Sequence, residues 1–248
     1  GLRVHVDAAY GGYFTLASRL DAAARRAFEA LPGADSVCLD PHKHGLQPYG
    51  CGCVLFADPS VGRFYKHDSP YTYFSSADLH LGEITLECSR AGAAAVALWA
   101  TQQALPLVRG GAFAGALDAC LETARQVAAW VESHPHLELV AQPQLDLVCF
   151  AVRAHAASAV SQRARMLFDA AARHEVHLAL ATVDAARFAG TAEPTADPDA
   201  ERPLWLWDTP QVTVLRTCWM KPEHRKWLPA ILARLDTALG EVLRSHPT

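Results

Sequence analysis

The sequence predicts an α/β fold in two successive parts, and three observations carry that prediction. Short apolar runs bounded by turn residues recur from VHV near the start to VTVLRTCW near the end, as buried strands do. Segments with helical periodicity separate most of them, the alternation of an α/β layer. Midway, Pro106 ends an Ala-rich helical stretch and Gly110-Gly111 separates it from the next helix. The first part is therefore placed at residues 1–109 and the second, a small C-terminal α/β domain, at 110–248.

Each element follows in order. Val4 to Val6 reads as a strand that ends in Asp7 and a Gly11-Gly12 turn, and Leu20 to Leu31 has helical spacing. Ser36 to Leu39 and Gly50 to Phe56 read as two further strands around the stretch DPHKHGLQPYG. Residues 58–84 are aromatic and irregular, a long loop of the kind that is often functional. Glu87 to Leu105 and Phe113 to Ser133 read as helices. In the second part the expected order is strand Leu145 to Val152, helix Ser158 to His174, strand Val176 to Val183, strand Val212 to Trp219, and a last helix with Pro222 near its first turn, running towards Arg244. Thr191 to Pro203 has no apolar periodicity and reads as a mobile loop.

Bulk composition narrows the function classes. With 248 residues and 51% hydrophobic content, the chain can bury a substantial core. Its 22 basic and 26 acidic side chains include no Lys/Arg-rich run, so nucleic acid is not an expected partner. The longest small, apolar block, Ala91 to Ala100, is about half of the roughly 18 residues a membrane span needs, and a soluble protein is expected. Seven cysteines without regular spacing read as reduced thiols in a cytoplasmic compartment. GLRVHVDAAYGG has neither an initiating methionine nor a targeting pattern, and the chain is expected to begin inside a fold.

Two chemistries compete for DPHKHGLQPYGCGCVLF. Lys43 is one of four lysines and directly follows a predicted strand end, where ligand and backbone can approach closely. A lysine in a partly dry site can lose its proton and form an imine with an aldehyde cofactor. Asp7 also ends a strand, and ligands gather at the carboxyl ends of strands in open α/β sheets. A carboxylate beside a pyridine nitrogen keeps it protonated, so that the ring withdraws electrons from the imine carbon; small Ala9 would let a flat ring lie against the backbone. The competing reading is a metal held by His42, His44, Cys51 and Cys53. Structural zinc usually takes ligand pairs two to four residues apart in turns, which HKH and CGC fit poorly, and no metal is expected. Cys51 and Cys53 read instead as small buried apolar residues.

HVDAAYGG followed by DPHK resembles the pyridoxal-phosphate-dependent amino-acid decarboxylases, the group II decarboxylases with the aspartate aminotransferase fold (fold type I). The resemblance continues through SPYTYF, LGEITLECSRAGAAAVALW and VLRTCWMKPEH, and so spans most of the chain. It implies decarboxylation of an L-amino acid with pyridoxal 5'-phosphate as cofactor. It also implies roles: Lys43 as the Schiff-base lysine, Asp7 as partner of the pyridine nitrogen, Ala9 against the ring, His42 towards the phosphate, and Arg216 near the substrate carboxylate. Tyr71 or Tyr73 matches the loop tyrosine that protonates the carbanion. The family's phosphate-binding and ring-stacking residues lie upstream of the aspartate, and only six residues precede Asp7, so the chain reads as the C-terminal portion of such an enzyme. A homodimer follows by analogy with the fold.

Each of these residues also has a plainer reading. Lys43 could be a solvated surface lysine, Asp7 a turn or cap residue, His42 a hydrogen-bonded structural histidine, and Arg216 a strand residue paired with a carboxylate. The two tyrosines could anchor their loop by packing. Arg90 reads as a structural or interface arginine, and His44 is assigned no role. Aminotransferase and carbon-carbon lyase chemistry share Lys43 and Asp7, and a non-catalytic fragment is the reading from a different class.

Overall fold

β1 (His5–Asp7) and β2 (Ser36–Leu39) pair in parallel, with Asp7 opposite Cys38. Parallel neighbours need a crossover, and α1 (Ala22–Glu29) supplies it. Asp21 starts this helix, its side chain accepting the Ala24 N–H at 2.7 Å. β3 (Cys53–Phe56) runs antiparallel on the other side of β2, Leu39 facing Cys53, so the sheet order is β1-β2-β3. The computed structural model describes residues 2–66, 92–186 and 205–245. The chain divides into two compact units, Gly1–Leu117 and Asp118–Thr248.

In the first unit the strands are shorter than the apolar runs that predict them. The run from Gly50 loses its start because Gly50 takes φ +94° and the Cys51 carbonyl is occupied by the His42 N–H at 3.2 Å. Part of the stretch read as irregular is a short 3-10 helix, Pro59–Phe64, whose leading Asp58 accepts the Ser60 N–H at 2.9 Å. α2 (Ala93–Ala104) stops at Leu105, the residue before Pro106, where the proline ring disfavours helical dihedrals.

The second unit carries a four-stranded antiparallel sheet, ordered β4 (Leu137–Leu139), β5 (Leu147–Val152), β7 (Gln211–Cys218), β6 (Ala179–Asp184). β4, only three residues long, has no counterpart among the predicted strands. Its helices are α4 (Ala157–Arg173) and α5 (His224–Ser245), with α3 (Ala112–Ser133) containing the division between units. Ala157, Val160, Ala164, Leu167 and Ala171 recur at helical spacing on α4 and are fully buried. Leu167 joins Phe150, Leu215 and Leu239 in the largest core cluster. β6 begins three residues later than the apolar run VHLALATV. Glu175 adopts φ +60° and the Val176 N–H returns to the Ala171 carbonyl at 2.9 Å, a left-handed helix ending that consumes the start of the run. Among the described residues no helix is long and apolar enough to cross a membrane.

Candidate active site

Because β1 and β2 are parallel and in register, their carboxyl ends meet at one edge of the first unit's sheet. Asp7 ends β1 there, and the chain leaving β2 enters the turn that carries Asp40, His42 and Lys43. The Lys43 N–H donates to the Asp40 carbonyl at 2.9 Å and the Gln47 N–H to the Pro41 carbonyl at 3.1 Å, which closes the turn. Gln47 also donates through Nε2 to Thr101 Oγ1 at 2.8 Å, tying the turn to α2. Gly45 is required by close approach: a Cβ there would lie 2.6 Å from Pro41 Cα and 2.7 Å from Tyr13 Oη.

His44 is the inward residue of this turn. It is buried, with ring edges against Tyr10 at 4.7 Å and Phe14 at 4.8 Å. The histidine to which the sequence assigned no role thus packs against two aromatic rings. Its neighbour Lys43 is partly buried, with 31% of its side chain exposed, and Nζ lies 5.9 Å from the centre of the Tyr10 ring. Lys43 Nζ forms an ion pair with Asp40 Oδ2 at 2.8 Å. His42 donates from Nδ1 to the Cys51 carbonyl at 3.0 Å, which directs Nε2 towards the same Asp40 oxygen, 3.7 Å away.

Asp7 is fixed differently. Its Oδ1 accepts both the Ala9 N–H at 3.1 Å and the Cys38 thiol at 3.2 Å. The thiol, then the amide, hold the Asp7 carboxyl below its ordinary value; Lys43 and His5 add smaller contributions, and desolvation opposes them. Asp7 forms no ion pair with a described residue. Two carboxylates therefore sit at this sheet edge in different states: Asp40 is paired with the amine, while one Asp7 oxygen has no partner among the described residues.

The histidines and cysteines of the same stretch do not converge. His42 Nδ1 is used by a backbone carbonyl, His44 is sandwiched between aromatic rings, and Cys51 is buried with Sγ 4.0 Å from the Ala94 carbonyl. Burial pushes the Cys53 thiol up, and the neighbouring Cys51 adds to the effect.

Arg216 belongs to the second unit, exposed on β7 opposite Cys149 of β5 and Ala179 of β6. It borders a cavity of about 320 Å³ with Glu175, His177, Trp219 and His224. Burial lowers the pKa of His224, with Glu223 working against it. Tyr71, Tyr73 and Arg90 lie outside the described residues, as does the stretch from Thr191 to Pro203.

Three participants escaped the sequence reading. Asp40 was legible, three residues before Lys43 on a turn. Tyr10 and Cys38 were not, because their contacts depend on turn closure and on the parallel register.

The donor set fits pyridoxal phosphate. It has a primary amine for an aldehyde, a carboxylate with an uncommitted oxygen for a ring nitrogen, a small residue beside that carboxylate, and an imidazole at the turn. Comparison with known proteins agrees. Residues 1–153 match the family model described as pyridoxal-dependent decarboxylase conserved domain. The L-tyrosine decarboxylase of Enterococcus faecium is 30% identical over 158 residues, 52% of this chain and 26% of that protein. A probable L-tyrosine/L-aspartate decarboxylase of Methanothermobacter thermautotrophicus is 33% identical over 150 residues, 60% of this chain and 39% of its own. Among solved structures, Oryza sativa TDC with PLP and tryptamine matches 97% of this chain and 45% of its own, with TM-score 0.71 at 17% identity, which establishes the fold. The chain spans less than half the length of these proteins. With a family model that covers well over half of it and a fold-type-I α/β architecture, the chain belongs to the pyridoxal-dependent decarboxylase family, whose cofactor is pyridoxal phosphate.

Proposed function

We propose that the protein decarboxylates an L-amino acid, with Lys43 as the covalent anchor of pyridoxal phosphate and Asp7 as partner of its ring nitrogen. The observation that carries this reading is the pair of strand ends: parallel β1 and β2 bring Asp7 and the Lys43 turn to one edge, where the Lys43 amine is held by a carboxylate of its own turn.

When bound, pyridoxal phosphate supplies an electron sink for the pair released as the carboxylate departs. This chain's residues supply the rest. Asp40 holds the Lys43 amine at 2.8 Å, and Lys43 is the residue that would hold the cofactor through its aldehyde, with Asp40 placed to take the proton the amine must give up. Asp7 places a negative charge where a protonated ring nitrogen is stabilised, which strengthens electron withdrawal. Ala9, with no side chain beyond Cβ, leaves room for a planar ring. His42, steadied through Nδ1 by the Cys51 carbonyl, is the imidazole of this turn that would stand on the phosphate side. Arg216 binds the substrate carboxylate, and Tyr71 or Tyr73 delivers the proton that replaces carbon dioxide at the α carbon. The domain boundary at residue 109, the homodimer and the cytoplasmic location belong to the same reading and rest on the sequence pattern and the family resemblance.

The test is carbon dioxide release from a panel of L-amino acids in the presence of pyridoxal phosphate, with the absorbance band of the bound cofactor followed in parallel. Lys43→Ala is expected to abolish both. Keto-acid products without carbon dioxide would sink the decarboxylase assignment, and a Lys43→Ala protein that keeps the band would sink the anchor.

A further inference from the structure

Both neutral donors that reach Asp7 end on the same oxygen. Cys38 Sγ donates to Oδ1 at 3.2 Å and the Ala9 N–H donates to Oδ1 at 3.1 Å. The sheet holds the thiol in place: Asp7 and Cys38 are partners in the parallel ladder, and the Ala8 N–H donates to the Cys38 carbonyl at 3.2 Å. Among the described residues Oδ2 has no partner, and Lys43, whose charge acts on Asp7, is itself paired with Asp40.

We propose that Cys38 is a positioning residue: together with the Ala9 amide it clamps Oδ1 of Asp7, so that Oδ2 is the acceptor presented to the pyridine nitrogen of pyridoxal phosphate. The inference rests on the role proposed above for Asp7. A carboxylate turns easily about its terminal torsion, which has broad, roughly two-fold wells. One amide from the adjoining backbone leaves that rotation open; a second donor, arriving from the neighbouring strand, closes it. A thiol suits the task because it is a weak, uncharged donor. It orients the carboxylate without neutralising it, as an arginine or lysine would, and leaves the negative charge for the ring. Lys43 and His5 are the charged groups that otherwise act on this carboxylate.

Three variants of the whole chain separate the clamp from the role of the carboxylate: Cys38→Ala, Cys38→Ser and Asp7→Asn. In the cofactor-free protein, the Asp7 carboxyl carbon is followed by NMR through a pH titration. Its midpoint is expected to move up in Cys38→Ala and back towards wild type in Cys38→Ser, whose hydroxyl is again a donor. With pyridoxal phosphate added, Cys38→Ala is expected to weaken binding about three- to tenfold, the scale of one lost hydrogen bond, and Cys38→Ser to restore it. An Asp7 midpoint unchanged by Cys38→Ala overturns the clamp whatever the cofactor does. An Asp7→Asn protein with wild-type affinity and absorbance band overturns the ring-nitrogen role, and this inference with it, even where the Cys38→Ala midpoint moves.

Discussion

The two units cover their sheets to different depths. In the second, Val148, Phe150, Ala151, Val152, Val214 and Leu215 are all fully buried. In the first, no residue of β1, β2 or β3 is buried, and Val54, Leu55 and Phe56 are each about half exposed. Buried residues of the first unit lie instead outside the strands, among them Ala8, Tyr13, Phe14, Ala17 and His44 in the segments that follow β1 and β2. Order in the second unit thus comes from a layered apolar core. Order at the candidate site comes from turns, in which glycines, short polar contacts and one inward histidine fix the backbone on either side of Asp7 and Lys43. That separation leaves Asp7 and Lys43 at a sheet edge, while neighbouring backbone is held by packing.

Truncation should expose the contrast most strongly. Phe150→Ala, in the core of the second unit, is expected to cost about 3–5 kcal/mol of unfolding free energy in urea titration. Leu55→Ala on β3 is expected to stay within about 1 kcal/mol, since little burial is lost. Equal costs would break the comparison. Next in size is Gly45→Ala. The added methyl would meet Pro41 and Tyr13 well inside contact distance, and overpacking of this kind costs about 1–3 kcal/mol. Because the displaced turn carries Lys43, covalent attachment of pyridoxal phosphate should slow in the same variant; a rate equal to wild type would show that the turn does not position the amine.

The smallest effect is a pH dependence of the second unit. Glu241 on α5 accepts from His174 Nε2 at 2.8 Å and from Arg173 at 3.1 Å, and these contacts, the histidine's first, hold its carboxyl below the ordinary value. A carboxyl depressed on folding stabilises the folded state above its unfolded pKa, and that stabilisation is lost as pH falls through the folded pKa. Unfolding midpoints should therefore drop as pH passes below the ordinary carboxylate range, and Glu241→Gln should flatten the slope. An identical slope in the variant would remove Glu241 from the account.

Much of the architecture was legible in the sequence. Ser36 to Leu39 was read with the bounds observed, and α1, α3, α4 and α5 to within a residue or two, because apolar periodicity over several turns is hard to mistake; the run read as a helix from Glu87 is helical from Ala93 among the described residues. Strand ends were less legible. Gly50, with φ +94°, and Glu175, with φ +60°, each divert an apolar run into a turn. β4 was invisible because Leu-Glu-Leu is too short to show a period. At the site, Lys43, Asp7, Ala9 and His42 could be named from their strand-end context and the family pattern. The partners that hold them could not.

The sequence by itself determined the chemical inventory: one lysine among four in a strand-end turn, an aspartate ahead of a double glycine, and a motif order that identifies the family. Residue type and spacing suffice for that, since both are local properties of the chain. Only the tertiary structure decided which partners the two carboxylates take. Asp40 takes the lysine because a closed turn brings residues three apart together. Asp7 receives the Cys38 thiol because a parallel register aligns positions 31 residues apart, and no local pattern encodes which residue of one strand will stand beside which residue of another.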